Sequence, residues 1–314
     1  MKTHVTAAVA VAVLSLGPAL GGQAPAPSGP TFRAESELVV MHVSVRDRKG
    51  RYVAGLDRDA FTVIDGGQAQ TLTMFSGDEV PASVAFLIDN SNSMQPHRER
   101  VSAAAAAFAA NSQPDDEISI LTFNEDVRVV FGPVRIGTVP AAALRTVLDG
   151  AITARGMSAI YDGILAGLRH VAGGAHTRQV LIIVSDGEDN ASAATLDAVR
   201  RQVRESDATI YSVVLIDGVT REGDPRLMRR LAADSGGESF QPRRLDDIPE
   251  AFARIARDIR SAYTLAYTPT VAGTGDTARS RRTVRVYAHA PDGRTLRVRA
   301  RDGYFVRGPG GSRP

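Results

Sequence analysis

The sequence of 314 residues contains no cysteine. This absence excludes disulfide bonds, catalysis by a thiol and metal sites built from thiolates. A chain without cross-links must gain its stability from a buried core, and a hydrophobic content of 43% is sufficient for one. The length allows two ordinary domains, or one large domain with additions.

Charge of one sign is not in excess either, because the formal net charge is only +2 at pH 7. The chain as a whole is therefore not expected to bind polyanions. Arg297, Arg299 and Arg301 alternate along one predicted strand, but no aromatic residues are interleaved with them, so we expect no nucleic acid partner. We expect these three side chains to face solvent, while Leu296 and Val298 face inward.

The N-terminal apolar run, Val5–Leu16, is shorter than the roughly 20 residues needed to span a bilayer. It follows Lys2 and precedes small residues that suit a signal peptidase, which predicts a signal peptide over residues 1–24. An uncleaved membrane anchor is the second interpretation, and the lack of cysteine excludes a lipoprotein anchor. We therefore predict an exported protein, periplasmic or extracellular, with no stable membrane span after cleavage.

Periodicity divides the remainder of the chain. Residues 25–31 form a proline-rich linker, and the hydrophobic pattern has a period of two over residues 32–77 and again over residues 263–307. These two regions are each too small to be stable alone, so we predict that they pack together as one antiparallel β unit. Residues 78–262 alternate between strand-like and helix-like segments, and residues 308–314 are expected to be a disordered tail.

The central region predicts a doubly wound, Rossmann-like α/β domain with a mostly parallel sheet. Its strand-like runs are Val84–Asp89, Glu117–Phe123, Val127–Phe131, Val180–Ser185 and Thr209–Ile216. Its helix-like runs are Arg98–Asn111, Ala141–Leu148, Ala159–Val171, Ala193–Glu205, Pro225–Ala233 and Ile248–Ala262. Only Asn124, Glu125 and Asp126 join the second strand to the third, which is too few for a parallel crossover, so one edge strand is predicted to be antiparallel. In the flanking regions, Asp65–Gln68 and Pro291–Arg294 predict hairpin turns.

Carboxylates and hydroxyls follow the predicted buried strands. They are Asp89, Ser91 and Ser93 at the end of the first strand, Ser158 at the start of a helix, and Asp186 after the strand that ends at Ser185. The carboxyl ends of parallel strands share one rim of a sheet, where ligand sites form. Ligands that are all oxygen suit a hard cation such as Mg²⁺ or Mn²⁺. Taken alone, the Asp-x-Ser-x-Ser segment has the alternative explanation of a capped helix start.

In this order, the three stretches resemble the metal-ion-dependent adhesion site of the von Willebrand factor type A domain. The resemblance covers roughly residues 80–261. It implies that the hydroxyls of Ser91 and Ser93 bind the metal directly, and that Asp89 and Asp186 act through bound water. Ser158 stands where the family most often has threonine.

The resemblance also implies how such a site is used. An open position on the ion accepts an Asp or Glu carboxylate of another protein, which makes the domain a protein-binding module for adhesion or assembly. Met94, Arg155, Met157 and Glu188 are the residues that we expect to face this partner. The flanking β regions, at Val45–Gly50, Leu56–Gly66 and Arg301–Tyr304, resemble a group of exported bacterial proteins that carry the domain, and this second resemblance bears on architecture only.

Two other functions stay open. The chain could be a structural envelope protein whose metal site is vestigial. It could also be a magnesium-dependent phosphohydrolase, since an Asp that ends a strand can accept a phosphoryl group. Such an enzyme needs a second Asp where this chain has Ser91, and neither a glycine-rich phosphate loop nor a Gly-x-Ser-x-Gly nucleophile motif is present. We therefore expect a binding protein and not an enzyme.

Overall fold

The computed structural model describes residues 38–216, 223–270 and 281–305. The predicted signal peptide, the proline-rich linker and the C-terminal tail lie outside these residues. All the described residues fall within one compact unit.

The described residues form strands and helices in both the central and the flanking regions. The strands are β1 (Val39–Arg46), β2 (Phe61–Asp65), β3 (Gln68–Gln70), β4 (Leu72–Ser76), β5 (Ala82–Asp89), β6 (Glu117–Phe123), β7 (Val127–Arg135), β8 (Arg178–Ser185), β9 (Thr209–Val214), β10 (Ser239–Phe240), β11 (Tyr263–Tyr267), β12 (Arg281–Ala288), β13 (Arg297–Arg299) and β14 (Gly303–Phe305). The α-helices are α1 (Arg98–Ala110), α2 (Ala141–Ala151), α3 (Ile160–Ala172), α4 (Leu196–Glu205), α5 (Pro225–Asp234) and α6 (Ile248–Arg260). Short 3₁₀ helices span Arg58–Ala60, Asn92–Met94, Ile136–Thr138 and Leu245–Asp247.

The central sheet has six strands in the order β10-β9-β8-β5-β6-β7. β5 lies inside the sheet, parallel to β6 on one side and to β8 on the other, and all its residues are buried. A strand covered by helices on both faces must present apolar side chains in both directions, which explains its unbroken apolar run. β7 is antiparallel to β6, as the short connection predicted. The predicted fold class is therefore confirmed.

Helices cover both faces of this sheet. α1, α2 and α6 contribute to the hydrophobic cluster on one face, and α3, α4 and α5 contribute to the cluster on the other. α1 contains five consecutive alanines, of which Ala104 and Ala105 are fully buried, and such small side chains let the helix axis lie close to the sheet. This layering leaves the carboxyl ends of β5 and β8 on one open rim.

The flanking regions form two four-stranded antiparallel sheets with the orders β13-β1-β11-β4 and β14-β12-β2-β3. Each sheet combines strands from the N-terminal and the C-terminal region. In the first, β1 pairs with β11 so that Val39 lies opposite Tyr267 and Val43 lies opposite Tyr263. Inward-facing residues of both sheets form a third hydrophobic cluster, which includes Met41, Val63 and Leu265.

Both predicted hairpin turns form, but the strands that continue from them pair with other partners. β2 and β3 form the first hairpin, but β4 leaves it and pairs with β11 in the other sheet. The predicted turn at Pro291–Arg294 is confirmed, because His289 and Thr295 form an antiparallel bridge across it. Beyond this bridge the strands separate, since β12 pairs with β2 and β14 whereas β13 pairs with β1. A period of two determines which side chains share a face, but it does not determine which strand lies alongside.

For two of the three C-terminal arginines, Arg299 and Arg301, the prediction that the side chain faces solvent is wrong. Arg299 forms ion pairs with Asp258 and, at 3.0 Å, with Glu238, while Arg301 lies 2.7 Å from Asp207. Their side chains are only 24% and 12% exposed. The acidic partners belong to the α/β region, so these arginines attach β13 and the residues after it to that region.

Candidate metal centre

The first part of the site is the loop that follows β5. Its last residue, Asp89, is fully buried, and one carboxylate oxygen, Oδ1, accepts a hydrogen bond from the backbone N–H of Ser91 at 2.9 Å. The Ser91 and Ser93 hydroxyls lie 3.1 Å apart. Ser91 is buried and Ser93 is exposed, so this pair of hydroxyls extends from the rim of the sheet to the surface.

The second part is the loop before α3. The Ser158 hydroxyl donates to Asp89 Oδ2 at 3.2 Å, which places it beside the first loop. Its backbone is held from the opposite side, because the Ser158 N–H donates to Asn190 Oδ1 at 2.7 Å and the Ser158 carbonyl accepts from the N–H groups of Asn190 and Ala191. These contacts fix the position of Ser158, whose side chain is buried beside Asp89.

The third part is the end of β8. The Ser185 hydroxyl donates to Asp89 Oδ2 at 2.6 Å, and Asp186 follows with its side chain buried. Asp186 Oδ1 accepts the N–H of Glu188 at 3.0 Å. Gly187, between Asp186 and Glu188, has φ +87°, and this left-handed backbone conformation turns the chain sharply after Asp186.

Burial dominates the electrostatics of the centre. It raises the pKa of Asp89 to about 6, hydrogen bonds from Ser185 and Ser91 lower that pKa in part, and the negative charge of Asp186 raises it again. The hydrogen-bond donors to Asp89 named above are neutral hydroxyls and one neutral N–H. A cation between the two carboxylates would compensate both charges.

The donor set fits a hard divalent cation. It consists of two carboxylates and three hydroxyls, all of them oxygen ligands. Within the ranges that the structure describes, no cluster of three or more His, Cys, Asp or Glu side chains forms a metal site. An ion at this rim would therefore depend on the serine hydroxyls as well as on Asp89 and Asp186.

The predicted partner-facing residues divide into three groups. Arg155 and Met157 are exposed on the loop that carries Ser158, and the Met157 side chain is 51% exposed. Glu188 is partly buried beside Asp186. Met94 is fully buried, because it packs into the hydrophobic cluster under α1, so its assignment as a partner-facing residue is wrong.

Two polar residues of the centre were missed in the sequence. Ser185 donates to Asp89 and accepts from the Gly187 N–H at 2.9 Å, so it links the ends of β5 and β8. Asn90 lies between two predicted ligands, and its side-chain oxygen accepts the Ala154 N–H at 2.6 Å. Ser185 could have been found in the sequence, because it is a hydroxyl-bearing residue at the end of a predicted buried strand. No feature of the sequence marked Asn90 as part of the site.

Comparisons with known proteins agree with this fold. The sequence profile of the von Willebrand factor type A domain matches residues 83–254. Proximal thread matrix protein 1 from the mussel byssus superposes with a TM-score of 0.51 at 16% identity, over 62% of this chain and 51% of that one. Another structure of that mussel protein is described as having a zinc-occupied MIDAS motif, the abbreviation for a metal-ion-dependent adhesion site. It superposes with a TM-score of 0.51 at 15% identity, over 62% of this chain and 49% of that one.

A third solved structure, described as a von Willebrand factor type A protein from Catenulispora acidiphila, aligns over 88% of this chain and 75% of that chain, at 14% identity and a TM-score of 0.49. No curated protein matches the sequence. The chain spans about half the length of the mussel protein, and at these identities the structural similarity shows the fold alone. The profile match covers more than half of the chain, and we conclude that this chain belongs to the von Willebrand factor type A domain family.

Proposed function

We propose that this chain is an exported binding protein whose metal-ion-dependent adhesion site bridges to an Asp or Glu carboxylate of another protein. Asp89, Ser91, Ser93, Ser158 and Asp186 hold one Mg²⁺ or Mn²⁺ ion. The observation that carries the proposal is the convergence of three chain segments on one buried carboxylate. Hydroxyls from two distant segments, at Ser158 and Ser185, donate to the same oxygen of Asp89.

The family supports the general part of this proposal, because von Willebrand factor type A domains generally mediate protein–protein interactions. The description of the mussel protein as zinc-occupied at this motif supports a divalent ion in this chain. When bound, such an ion offers an electrophilic position that a carboxylate can fill. Arg155 and Met157, both exposed next to Ser158, then contact the partner residues around that carboxylate.

Export rests on the predicted signal peptide. In the described part of the chain, every helix is too short or too polar to cross a membrane. A phosphohydrolase is the less favoured function, because the residue that would serve as its general acid is Ser91. A structural envelope protein with a vestigial metal site is the main alternative, and metal binding distinguishes the two.

Asp89→Asn provides the test of the proposed site. The variant keeps one acceptor oxygen for the Ser158 and Ser185 hydroxyls but removes the charge, so we expect Mg²⁺ affinity to fall on the order of 10–100-fold. Without metal, the thermal midpoint should change little, because removal of the buried charge offsets the loss of the acceptor oxygen that the Ser91 N–H uses. Calorimetric titration of Mg²⁺ and thermal unfolding in chelator measure the two quantities.

The matched control is Asp126→Asn, which removes an exposed carboxylate from the nearby connection between β6 and β7. It should leave Mg²⁺ affinity unchanged. A pull-down from envelope extract, with Mg²⁺ and again with chelator, extends the test to the partner. If the partner is captured equally well in the presence of chelator and by the Asp89→Asn variant, the structural alternative is favoured.

A further inference from the structure

The loop that carries Ser158 has an uncommon backbone. Ala154 has φ 51° and Gly156 has φ +87°, so two residues within three positions adopt left-handed conformations. For alanine this conformation costs energy, and it persists only where surrounding contacts determine it. The position of the Ser158 hydroxyl therefore depends on what holds this loop.

One support comes from the first loop of the site. The side-chain oxygen of Asn90 accepts the Ala154 N–H at 2.6 Å, and the Asn90 carbonyl accepts the Arg155 N–H at 2.7 Å. Together with the bond from the Asn92 N–H to the Gly156 carbonyl, these bonds hold the first half of the Ser158 loop. Asn190 holds the backbone of Ser158 itself, as described above, so the Met157 N–H is not held by either set of bonds.

A second support comes from the connection between β6 and β7, at the antiparallel edge of the sheet. Glu125 Oε1 accepts the Met157 N–H at 2.8 Å, and the Asn124 carbonyl accepts the Ala159 N–H at 2.9 Å. Ser158 lies between these two bonds. The connection therefore holds the residue before Ser158 and the residue after it.

Glu125 also fits closely against the loop. A Cβ atom added to Gly156 would lie 2.3 Å from Glu125 Oε2, so the carboxylate occupies the space that any side chain at position 156 would need. The Glu125 side chain is exposed at the surface, yet one of its oxygens is used by a backbone N–H of the loop. The Glu125 carboxylate therefore lies directly against the backbone of this loop.

We propose that Glu125 is a positioning residue of the metal centre, which holds Met157 so that the Ser158 hydroxyl stays directed at Asp89. This inference rests on the proposed function, because it assigns a role toward the same metal ion. Glu125 does not bind the ion; it acts through the backbone of the loop. Its effect comes from the hydrogen bond to the Met157 N–H and not from its charge.

Three variants separate the bond from the charge. Glu125→Ala removes both, Glu125→Gln removes the charge but keeps an amide oxygen as acceptor, and Asp126→Ala removes a neighbouring charge that makes an exposed pair with Arg128 at 3.6 Å. Mg²⁺ alone is the probe, titrated calorimetrically into the full-length protein. We expect Glu125→Ala to weaken Mg²⁺ affinity on the order of tenfold. Glu125→Gln and Asp126→Ala should stay within about twofold of the unaltered protein.

Hydrogen exchange of the metal-free protein gives a second readout. Loss of the bond should speed exchange of the Met157 amide by roughly five- to tenfold in Glu125→Ala, and not in Asp126→Ala. Unchanged Met157 exchange in Glu125→Ala would show that Glu125 does not hold the loop, whether or not metal binds. A loss of Mg²⁺ affinity that is equal in all three variants would instead indicate a charge effect and overturn the positioning role. If the unaltered protein binds no Mg²⁺, the proposed metal function fails, and exchange alone decides the role of Glu125 in the loop.

Discussion

At the scale of single residues, Asp258 connects the α/β region to the flanking sheets. Its carboxylate on α6 is fully buried, and it accepts hydrogen bonds from Ser44 on β1 at 2.5 Å and from Tyr211 on β9 at 2.7 Å. It also pairs with Arg46 and Arg299, which come from the two ends of the chain. A buried carboxylate with these partners is costly to remove, because the Ser44 and Tyr211 hydroxyls lose their acceptor and the two arginines keep only Glu238 as an acidic partner.

Asp258→Ala is therefore expected to lower the free energy of unfolding by about 3–5 kcal/mol. Urea denaturation of the variant and the unaltered protein measures the difference. Asp292→Ala is the control, because Asp292 forms a pair with Arg294 at 2.6 Å in which both side chains are more than half exposed. That change should cost less than about 1 kcal/mol. Similar losses in the two variants would contradict the role assigned to Asp258.

At the scale of elements, the turn between α5 and β10 shows how closely the backbone segments approach. The Gly237 N–H donates to the Ala232 carbonyl at 2.8 Å, which ends α5. A Cβ atom at Gly237 would lie 1.9 Å from the carbonyl oxygen of Ile210 on β9. Glycine is required here because the neighbour is backbone, which cannot rotate away as a side chain could.

Gly237→Ala is expected to destabilise the protein by about 1–3 kcal/mol. The matched change, Gly150→Ala on α2, should have the opposite sign, because a Cβ there meets nothing within 4 Å and alanine favours a helix by up to about 1 kcal/mol. Thermal unfolding of both variants tests the pair. Equal thermal midpoints would argue against the close approach of this turn to β9.

At the scale of the whole molecule, a histidine lies where the flanking sheets meet the α/β region. His42 on β1 is opposite Thr264 on β11, and its Nδ1 lies 3.3 Å from the Thr264 hydroxyl. That hydroxyl accepts a hydrogen bond from the buried guanidinium of Arg178 at 3.1 Å, and Arg178 also donates to the Ile259 carbonyl near the end of α6. Burial, followed by the nearby Arg178 charge, lowers the pKa of His42 from 6.5 to about 4.

This shift predicts how stability depends on pH. Between pH 6.5 and about 4 the unfolded chain binds a proton at His42 that the folded protein does not, so acidification through this window favours unfolding. The contribution of neutral His42 to the free energy of unfolding is fully present above pH 6.5 and is lost by about pH 4. The loss has an upper limit of about 3 kcal/mol. His42→Gln should reduce the slope of unfolding free energy against pH in this window, measured by urea denaturation at several pH values. The control His289→Gln replaces an exposed histidine and should keep the original slope.

The sequence by itself determined the parts of this protein that depend on local patterns. A run such as Val84–Ile88, apolar in every position and followed by Asp89, is typical of a strand buried on both faces, so the parallel sheet and its carboxyl-end rim were predictable. The short connection at Asn124–Asp126 likewise made an antiparallel edge necessary. The placement of Ser158 and Asp186 near Asp89 followed from the same geometry.

Only the tertiary structure decided which distant segments meet. Alternation in β13 is compatible with several neighbours, and in the structure it pairs with β1 while Arg299 forms an ion pair with Asp258 of α6. Nothing local distinguishes Asp258 from the exposed carboxylates of other helices, and nothing local shows that Met94 turns inward. Hydrophobic periodicity reports on the face of an element, whereas strand partners, buried ion pairs and the support of the Ser158 loop by Glu125 arise from contacts between residues far apart in the chain.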